Sequence, residues 1–433
     1  MTCRLCGSPA LRSFLDLGAT PPCERFLTAA QLDEPEPSYP LHVRVCTQCL
    51  LTQLPPLITP EETFTDYAYF SSYSSSWVAH AQRFVQNAVN KLGLGGDSFV
   101  VEVASNDGYL LQHVVQRRLR CLGIEPSVNV GETARARGVP TLTAFLTPEI
   151  GAKVRADHGP ADLVVTNNVY AHIPDVVGFT QGLRQLVADN GWVSIEVQHL
   201  LTLVQHTEFD TIYHEHFQYY TVLTAQRALA SGGLAVVDVE VLDTHGGSIR
   251  LWAQPREIAG PSSSRVADLL AAEAAAGLST AEGHNGFAPA VHRVRADLLR
   301  FLLDAAAQNK TVVGYGAPGK GNTLLNYCGI RPDLLRYTVD RNPYKHGRFT
   351  PGTRIPIHPV EQIDADRPDY VLVLPWNLRT ELTKQLAHIT DWGGQLVFPI
   401  PRLEVVSLCR SCCSAVATAC GCVTAQTTTC PSR

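Results

Sequence analysis

The chain has 433 residues, 13 of them cysteine, and a formal net charge of −5. That length implies two or three domains at about 150 residues each, and the mildly acidic balance argues against a general binder of nucleic acid or anionic membrane surfaces. No run approaches the roughly 18 uninterrupted apolar residues of a membrane span.

The N-terminus shows no basic stretch followed by an apolar one, so the expected compartment is the cytoplasm. Paired cysteines there are more often metal ligands than disulfides. Two such pairs open the chain: Cys3 and Cys6, then Cys46 and Cys49. Two C-x-x-C knuckles can place four thiolates tetrahedrally around one structural zinc ion. Two disulfides or four unrelated thiols are the alternative. The intervening span holds Pro21, Pro22, Pro35, Pro37 and Pro40 and reads as an excursion that returns to the metal. A zinc-binding module over 1–75 follows, ending in the aromatic, serine-rich stretch 64–77. That stretch is either core for a small domain or a lid over a ligand.

A helix is expected over 76–92, then an alternation of strands and helices. Segments 98–104, 120–125, 161–166 and 191–197 read as buried strands rich in β-branched residues. Helical segments between them, such as 109–118, imply a parallel sheet with right-handed crossovers. A second series begins with helical 266–303, broken near 283–286. Strands are expected at 310–316, 335–340, 370–374 and 395–400. The fold class is therefore α/β: a small zinc-binding module and two Rossmann-like domains, at 76–245 and 246–406. The last 27 residues, 407–433, are rich in Cys, Thr, Ala and Ser without periodicity. They read as a disordered tail rather than a metal-binding appendage.

In the first series, Val100-Val-Glu102-Val-Ala-Ser105-Asn106-Asp107-Gly108 ends a strand and opens a helix. Ligands of open parallel sheets bind at the carboxyl ends of strands. One glycine and an acidic pair suit a cationic ligand and would repel a pyrophosphate. Glu125 ends the next strand, where a carboxylate can accept both ribose hydroxyls. This pattern resembles class I S-adenosylmethionine-dependent methyltransferases, and the resemblance adds Asn167 and Asn168 as contacts to the methionyl end.

Farther on, Tyr213-His214-Glu215-His216 packs proton-transfer groups into one stretch. Extended alternation would place His214 and His216 on one face. A metal-binding H-x-H pair or a structural cluster are the other readings; the helical H-E-x-x-H spacing of zinc peptidases is absent. In the second series, Gly314-Tyr-Gly316-Ala-Pro-Gly319-Lys320-Gly321-Asn322 lies between a strand and a helix, and Asp340 ends the next strand. Those residues alone favour NAD.

Taken together, the chain resembles the sugar C-methyltransferases that make branched deoxysugars for antibiotics. That family combines a zinc-binding N-terminal module, an E-x-x-x-N-D-G turn, a Y-H-E-H segment and a second Rossmann-like domain, in this order. The resemblance covers roughly 1–405. It implies methylation of a carbon, commonly C-3, beside the ketone of a nucleotide-diphosphate 4-keto-6-deoxysugar. His216 matches the family's base. Glu215 and Tyr213 match groups that orient the sugar, handle the proton or stabilise an enolate. His172 and Tyr67 match further pocket residues. Glu102, Asn106, Asp107, Gly108, Glu125, Asn167 and Asn168 are the cofactor positions. The second glycine turn, with Gly316, Lys320, Asn322, Asp340, Lys345 and Arg354, becomes the grip on the sugar nucleotide. An NAD-dependent oxidoreductase or epimerase remains as the alternative, although a Y-x-x-x-K pair is missing from the first sheet. A zinc-stabilised binding protein without catalysis would leave Y-H-E-H unexplained.

Overall fold

The computed structural model describes residues 1–60, 62 and 70–407. The expected site residue Tyr67 and the expected cysteine-rich tail from 408 lie outside the described residues. The chain forms two compact units, each assembled from three stretches. The first comprises Met1–Phe14, Val43–Thr202 and Glu215–Asn285. The second comprises Leu15–His42, Leu203–His214 and the chain from Gly286 onward.

In the first unit a helix at Ser75–Leu92 (α1) starts where Ser74 accepts a hydrogen bond from the Trp77 backbone, and stops at Gly93 in the left-handed region, φ +64°. Both termini follow ordinary capping chemistry. The sheet comprises Phe99–Val103 (β1), Arg120–Ile124 (β2), Thr141–Leu142 (β3), Ala161–Asn167 (β4), Val187–Gln198 (β5), Leu234–Leu242 (β6) and Ser248–Pro255 (β7). Its order is β6-β7-β5-β4-β1-β2-β3. β1 pairs in parallel with β2 and β4, and β4 with β5. Every residue of β1 is buried, as a central parallel strand covered on both faces requires. The strand order reverses between β1 and β4, so their carboxyl ends frame the ligand crevice of such sheets.

β7 runs antiparallel to both β6 and β5. The sheet thus extends past 245, where the sequence suggested a domain boundary. The hairpin makes this possible by returning the chain between two existing strands. The expected helix 109–118 is shorter, at Leu111–Val115.

The metal module is stitched into this unit. Thr52 and Gln53 pair with Tyr219 and Gln218. Arg4 donates to the carbonyl of Phe217 at 2.9 Å and to Gln218 Oε1 at 2.6 Å. Cys3, Cys46 and Cys49 belong to the same buried apolar cluster as Tyr220 and Val222. A small cysteine knuckle has little core of its own, so borrowing one is a physical necessity.

In the second unit the strands are Val312–Tyr315 (β8), Thr338–Val339 (β9), Ile357–His358 (β10), Tyr370–Val373 (β11), Gln395–Phe398 (β12) and Glu404–Val406 (β13). The order is β10-β9-β8-β11-β12-β13, with only the last pair antiparallel. A helix at Gly319–Cys328 (α2) follows β8 and ends at Gly329 with φ +70°. The excursion 15–42 packs here: Leu27 and Phe349 exchange backbone hydrogen bonds, and Phe26 packs with Ala317 and Ile357.

Candidate functional site

The four N-terminal cysteines converge. Their sulfurs all lie within 4.8 Å of one another. Cys3 and Cys49 sulfurs are 3.4 Å apart, and those of Cys6 and Cys46 3.6 Å, far beyond a disulfide bond. Zinc–sulfur bonds of about 2.3 Å in a tetrahedron put sulfurs about 3.8 Å apart, so the donor set fits one zinc ion closed to substrate. Cys3 is pushed below the usual thiol value by the hydrogen bond from Cys49, and Cys49 above it. Gln53 Nε2 donates to Cys3 Sγ at 3.2 Å, an outer contact that orients a thiolate ligand.

The turn after β1 concentrates backbone strain. Ala104, Asn106 and Gly108 all have positive φ, at 54°, 49° and 79°, and Asn168 after β4 has φ 56°. Such conformations cost energy in non-glycine residues and cluster at functional sites. A side chain at Gly108 would meet Val139 Cγ2 at 2.9 Å. The Asn106 backbone N–H donates to Glu125 Oε2 at 2.9 Å, and that of Ser127 to Glu125 Oε1 at 2.8 Å. A carboxylate has about four acceptor positions, so Glu125 keeps capacity for hydroxyls. Arg137 donates to Asp107 Oδ2 at 2.8 Å and Ser71 N–H to Asn106 Oδ1 at 2.8 Å. Burial pushes Glu125 above its ordinary carboxylate value. Glu102, interior to β1 and faced by the Tyr109 hydroxyl, is pushed well above it by burial and then by Glu125 and Asp107.

Several buried atoms here find no hydrogen-bond partner among the described residues. Among them are both polar atoms of the Asn167 amide, Asn168 Nδ2 and Asp107 Oδ1. Native structures rarely leave such groups unpaired. Acceptors and donors in one crevice fit a zwitterionic amino-acid end, and the acidic surroundings fit a cation. The residues present therefore suit S-adenosylmethionine.

His172 follows β4 on a single 3₁₀ turn, Tyr170–His172. Its ring lies edge-on to His216, centroids 4.7 Å apart, and His216 lies 6.3 Å from the Tyr219 ring. Desolvation pushes His172 down to about 4, against a backbone hydrogen bond at Glu215. It is thus a neutral imidazole at pH 7. The Phe217 N–H donates to the Ala171 carbonyl at 2.8 Å, fixing this register.

His214 and His216 fall in different units, although both are buried as alternation anticipates. His214 Nε2 bonds the Tyr39 carbonyl at 3.0 Å, within the second unit. Tyr213 also belongs to that unit, and the chain enters the first at Glu215.

Sequence reasoning missed one network beside Asn167. Glu196 on β5 is fully buried and ion-paired with Arg250. His80 Nε2 lies 2.8 Å from its carboxylate, and Thr244 Oγ1 donates to it at 2.8 Å. A glutamate inside the apolar run Val193–Val197 was the available signal, because buried charges need partners.

The second glycine turn is closed by the chain itself. Gly316 has φ +83°, and a side chain there would meet Pro375 Cδ at 2.6 Å. Asp340 Oδ2 accepts from the Ala317 N–H at 2.7 Å and Oδ1 from Asn342 at 2.8 Å. Lys345 Nζ donates to the Ala317 carbonyl at 2.8 Å. Asn322 Nδ2 donates to the Cys23 carbonyl at 2.6 Å, and Arg354 to the carbonyls of Leu32 and Glu34. A side chain on Gly319, the first residue of α2, would meet Cys23 Sγ and Glu24 Oε1, both at 2.9 Å. The Gly319 N–H bonds the Glu24 carboxylate, and Lys345 Nζ lies 3.8 Å from it. An internal carboxylate therefore stands where a dinucleotide's phosphate would lie, and the acid expected on its ribose is engaged with the turn. This arrangement does not support the NAD alternative.

Comparison with known proteins follows the same division. Residues 3–64 match a zinc-binding domain family, 77–239 a methyltransferase domain family, and 243–401 the C-methyltransferase C-terminal domain family. The C-methyltransferase NovU of Streptomyces niveus is 36% identical over 405 residues, covering 94% of this chain and 96% of its own. Among solved structures, an S-adenosylmethionine-dependent methyltransferase from Clostridium acetobutylicum is 12% identical, covers 41% of this chain and 91% of its own, and has a TM-score of 0.33. Magnesium protoporphyrin IX methyltransferase from Synechocystis, with bound cofactor, is 16% identical, covers 41% and 80%, and has a TM-score of 0.32.

Proposed function

The chain belongs to the S-adenosylmethionine-dependent C-methyltransferase family, and we propose that its acceptor is a carbon, C-3 in the first instance, beside the ketone of a nucleotide-linked 4-keto-deoxysugar. The observation that carries this reading is the neutral His172 ring set against His216, in the unit that holds the Asn106-Asp107-Gly108 turn.

A hydrogen on carbon beside a ketone is acidified, because its removal yields an enolate. His216 takes that proton, and the C–H electron pair becomes the enolate. The enolate carbon forms the new C–C bond. Bound S-adenosylmethionine supplies an electrophilic sulfonium methyl, and the old C–S pair stays on sulfur. His216 then returns its proton to solvent. A positioned base contributes about 10²–10⁴-fold, and a donor to the developing oxyanion a comparable factor. Tyr213 and Tyr67 are the proposed donors. Glu215 orients the segment, and His172, held neutral, fixes the His216 ring. Asn167, Asn168 and Asp107 would hold the methionyl end, and Glu125 the ribose hydroxyls. One zinc ion on Cys3, Cys6, Cys46 and Cys49 would stabilise the module, and elemental analysis should find one per chain.

Enolisation tests this without methyl transfer. A 4-keto sugar nucleotide is incubated with enzyme in D₂O, with S-adenosylhomocysteine in place of the cofactor. Deuterium at the carbon beside the ketone, absent with His216→Asn, is expected. No exchange in the wild type, with methyl transfer intact, would remove His216 from the base role.

A further inference from the structure

Upstream of His216 the chain carries Glu208-Phe209-Asp210, which the mechanism does not use. Glu208 is 3% exposed and Asp210 fully buried. Each residue from 208 to 212 is pinned within the second unit. Trp376 Nε1 donates to Asp210 Oδ2 at 2.6 Å. Thr211 Oγ1 donates to the Glu208 carbonyl at 2.7 Å, and Thr323 Oγ1 of α2 to the Ile212 carbonyl at 3.2 Å. The Phe209 ring meets Tyr327 of α2 edge-on at 5.3 Å. His206 Nδ1 lies 3.5 Å from Glu208 Oε1. Lys320, in the first turn of α2, faces both carboxyls, its ammonium 5.3 Å from the Trp376 ring centre.

A diphosphate brought to Lys320 would meet two buried carboxyl groups. A counter-ion for those groups is the role its surroundings fit. We propose that Lys320, Glu208, Asp210 and Trp376 form a positioning cluster that fixes the path of residues 208–212 and thereby sets Tyr213 for catalysis, with Lys320 as a positioning residue and not a ligand of the substrate's phosphates. Burial pushes both acids up to about 7 and lowers Lys320. The proposal rests on the reading of Tyr213 as a catalytic group.

The test is Lys320→Met in the full, zinc-loaded chain. The readouts are kcat, the Kd for S-adenosylmethionine and for thymidine diphosphate, and amide exchange of residues 208–216. Misplacing one catalytic group can cost about a hundredfold, so kcat should fall by about that factor. Both Kd values should stay within about threefold, well inside the range one lost contact produces, and the segment should exchange faster. A thymidine diphosphate Kd raised about tenfold or more, the loss of one charged contact, overturns the proposal. So do unchanged kcat and unchanged exchange. Should Lys320→Met not fold, Thr323→Val removes only the bond to Ile212. It should lower kcat about tenfold, the scale of one hydrogen bond, and no loss overturns the proposal. A wild type that methylates no 4-keto sugar nucleotide would end the reading of the function, while the exchange measurement still judges the cluster.

Discussion

The two strand–turn–helix corners, after β1 and after β8, start from the same parallel-sheet topology and differ in how far the chain itself satisfies their polar groups. The corner after β1, together with the adjoining end of β4, leaves Asp107, Asn167 and Asn168 atoms buried without a partner among the described residues, and holds Ala104 and Asn106 in left-handed conformations. The corner after β8 is engaged largely from within its own unit: Asp340 holds Ala317, Lys345 holds the same residue's carbonyl, and Glu24 sits on the Gly319 N–H, leaving Asn322 Oδ1 as its buried atom without a partner among the described residues. A glycine pattern therefore reports backbone shape, while the unpaired polar atoms report where a ligand is wanted.

The largest expected effect places the chemistry beside the open corner. His216→Asn should lower turnover at least about a hundredfold and leave S-adenosylmethionine affinity nearly unchanged. A loss below about tenfold, the low end for general-base removal, would break the assignment. Next, Asn167→Leu leaves a charged ligand end unpaired and should weaken S-adenosylmethionine binding about ten- to a hundredfold by calorimetry, with thymidine diphosphate unaffected. Equal weakening of both ligands would erase the contrast between the corners.

A third prediction concerns pH. Asp210 and Glu208 keep their protons up to about 7 in the fold, against about 4 when unfolded. Their contribution to stability is complete below about pH 4 and is lost as pH rises through 7. Between pH 5.5 and 8.5, Asp210→Asn should flatten the fall in stability by about 1–3 kcal/mol in denaturant titrations. Identical pH slopes would show that Asp210 is not protonated in the fold. The smallest effect sharpens the closed corner. Glu24→Gln removes a carboxylate from the α2 N-terminus and should tighten thymidine diphosphate binding about threefold, the size of a helix-terminus charge effect. No change would place the diphosphate away from this turn.

Much of this was legible because it is local. The strands at 98–104 and 161–166 announce themselves by β-branched burial, and the C-x-x-C pairs by spacing. Asn106-Asp107-Gly108 reads as a ligand turn because few residue types tolerate its backbone. What stayed hidden depends on distant partners. The pairing of β7 between β5 and β6 leaves no local trace, since either strand alone could sit at an edge. Glu24 lies about 300 positions before the helix it caps, and Lys320 reads as a phosphate lysine until Glu208 and Asp210 come beside it. By residue type and alternation alone His214 and His216 look equivalent, and the resemblance singles out His216. In the structure the Tyr39 carbonyl and the His172 ring separate them.

The central claim is methyl transfer to carbon beside a ketone, and the most direct measurement uses ¹³C-methyl S-adenosylmethionine with a panel of nucleotide-linked 4-keto-deoxysugars. The account predicts a product whose labelled methyl shows one-bond coupling to a ring carbon flanking C-4. A methyl on oxygen or nitrogen, or label on no member of the panel, would contradict it.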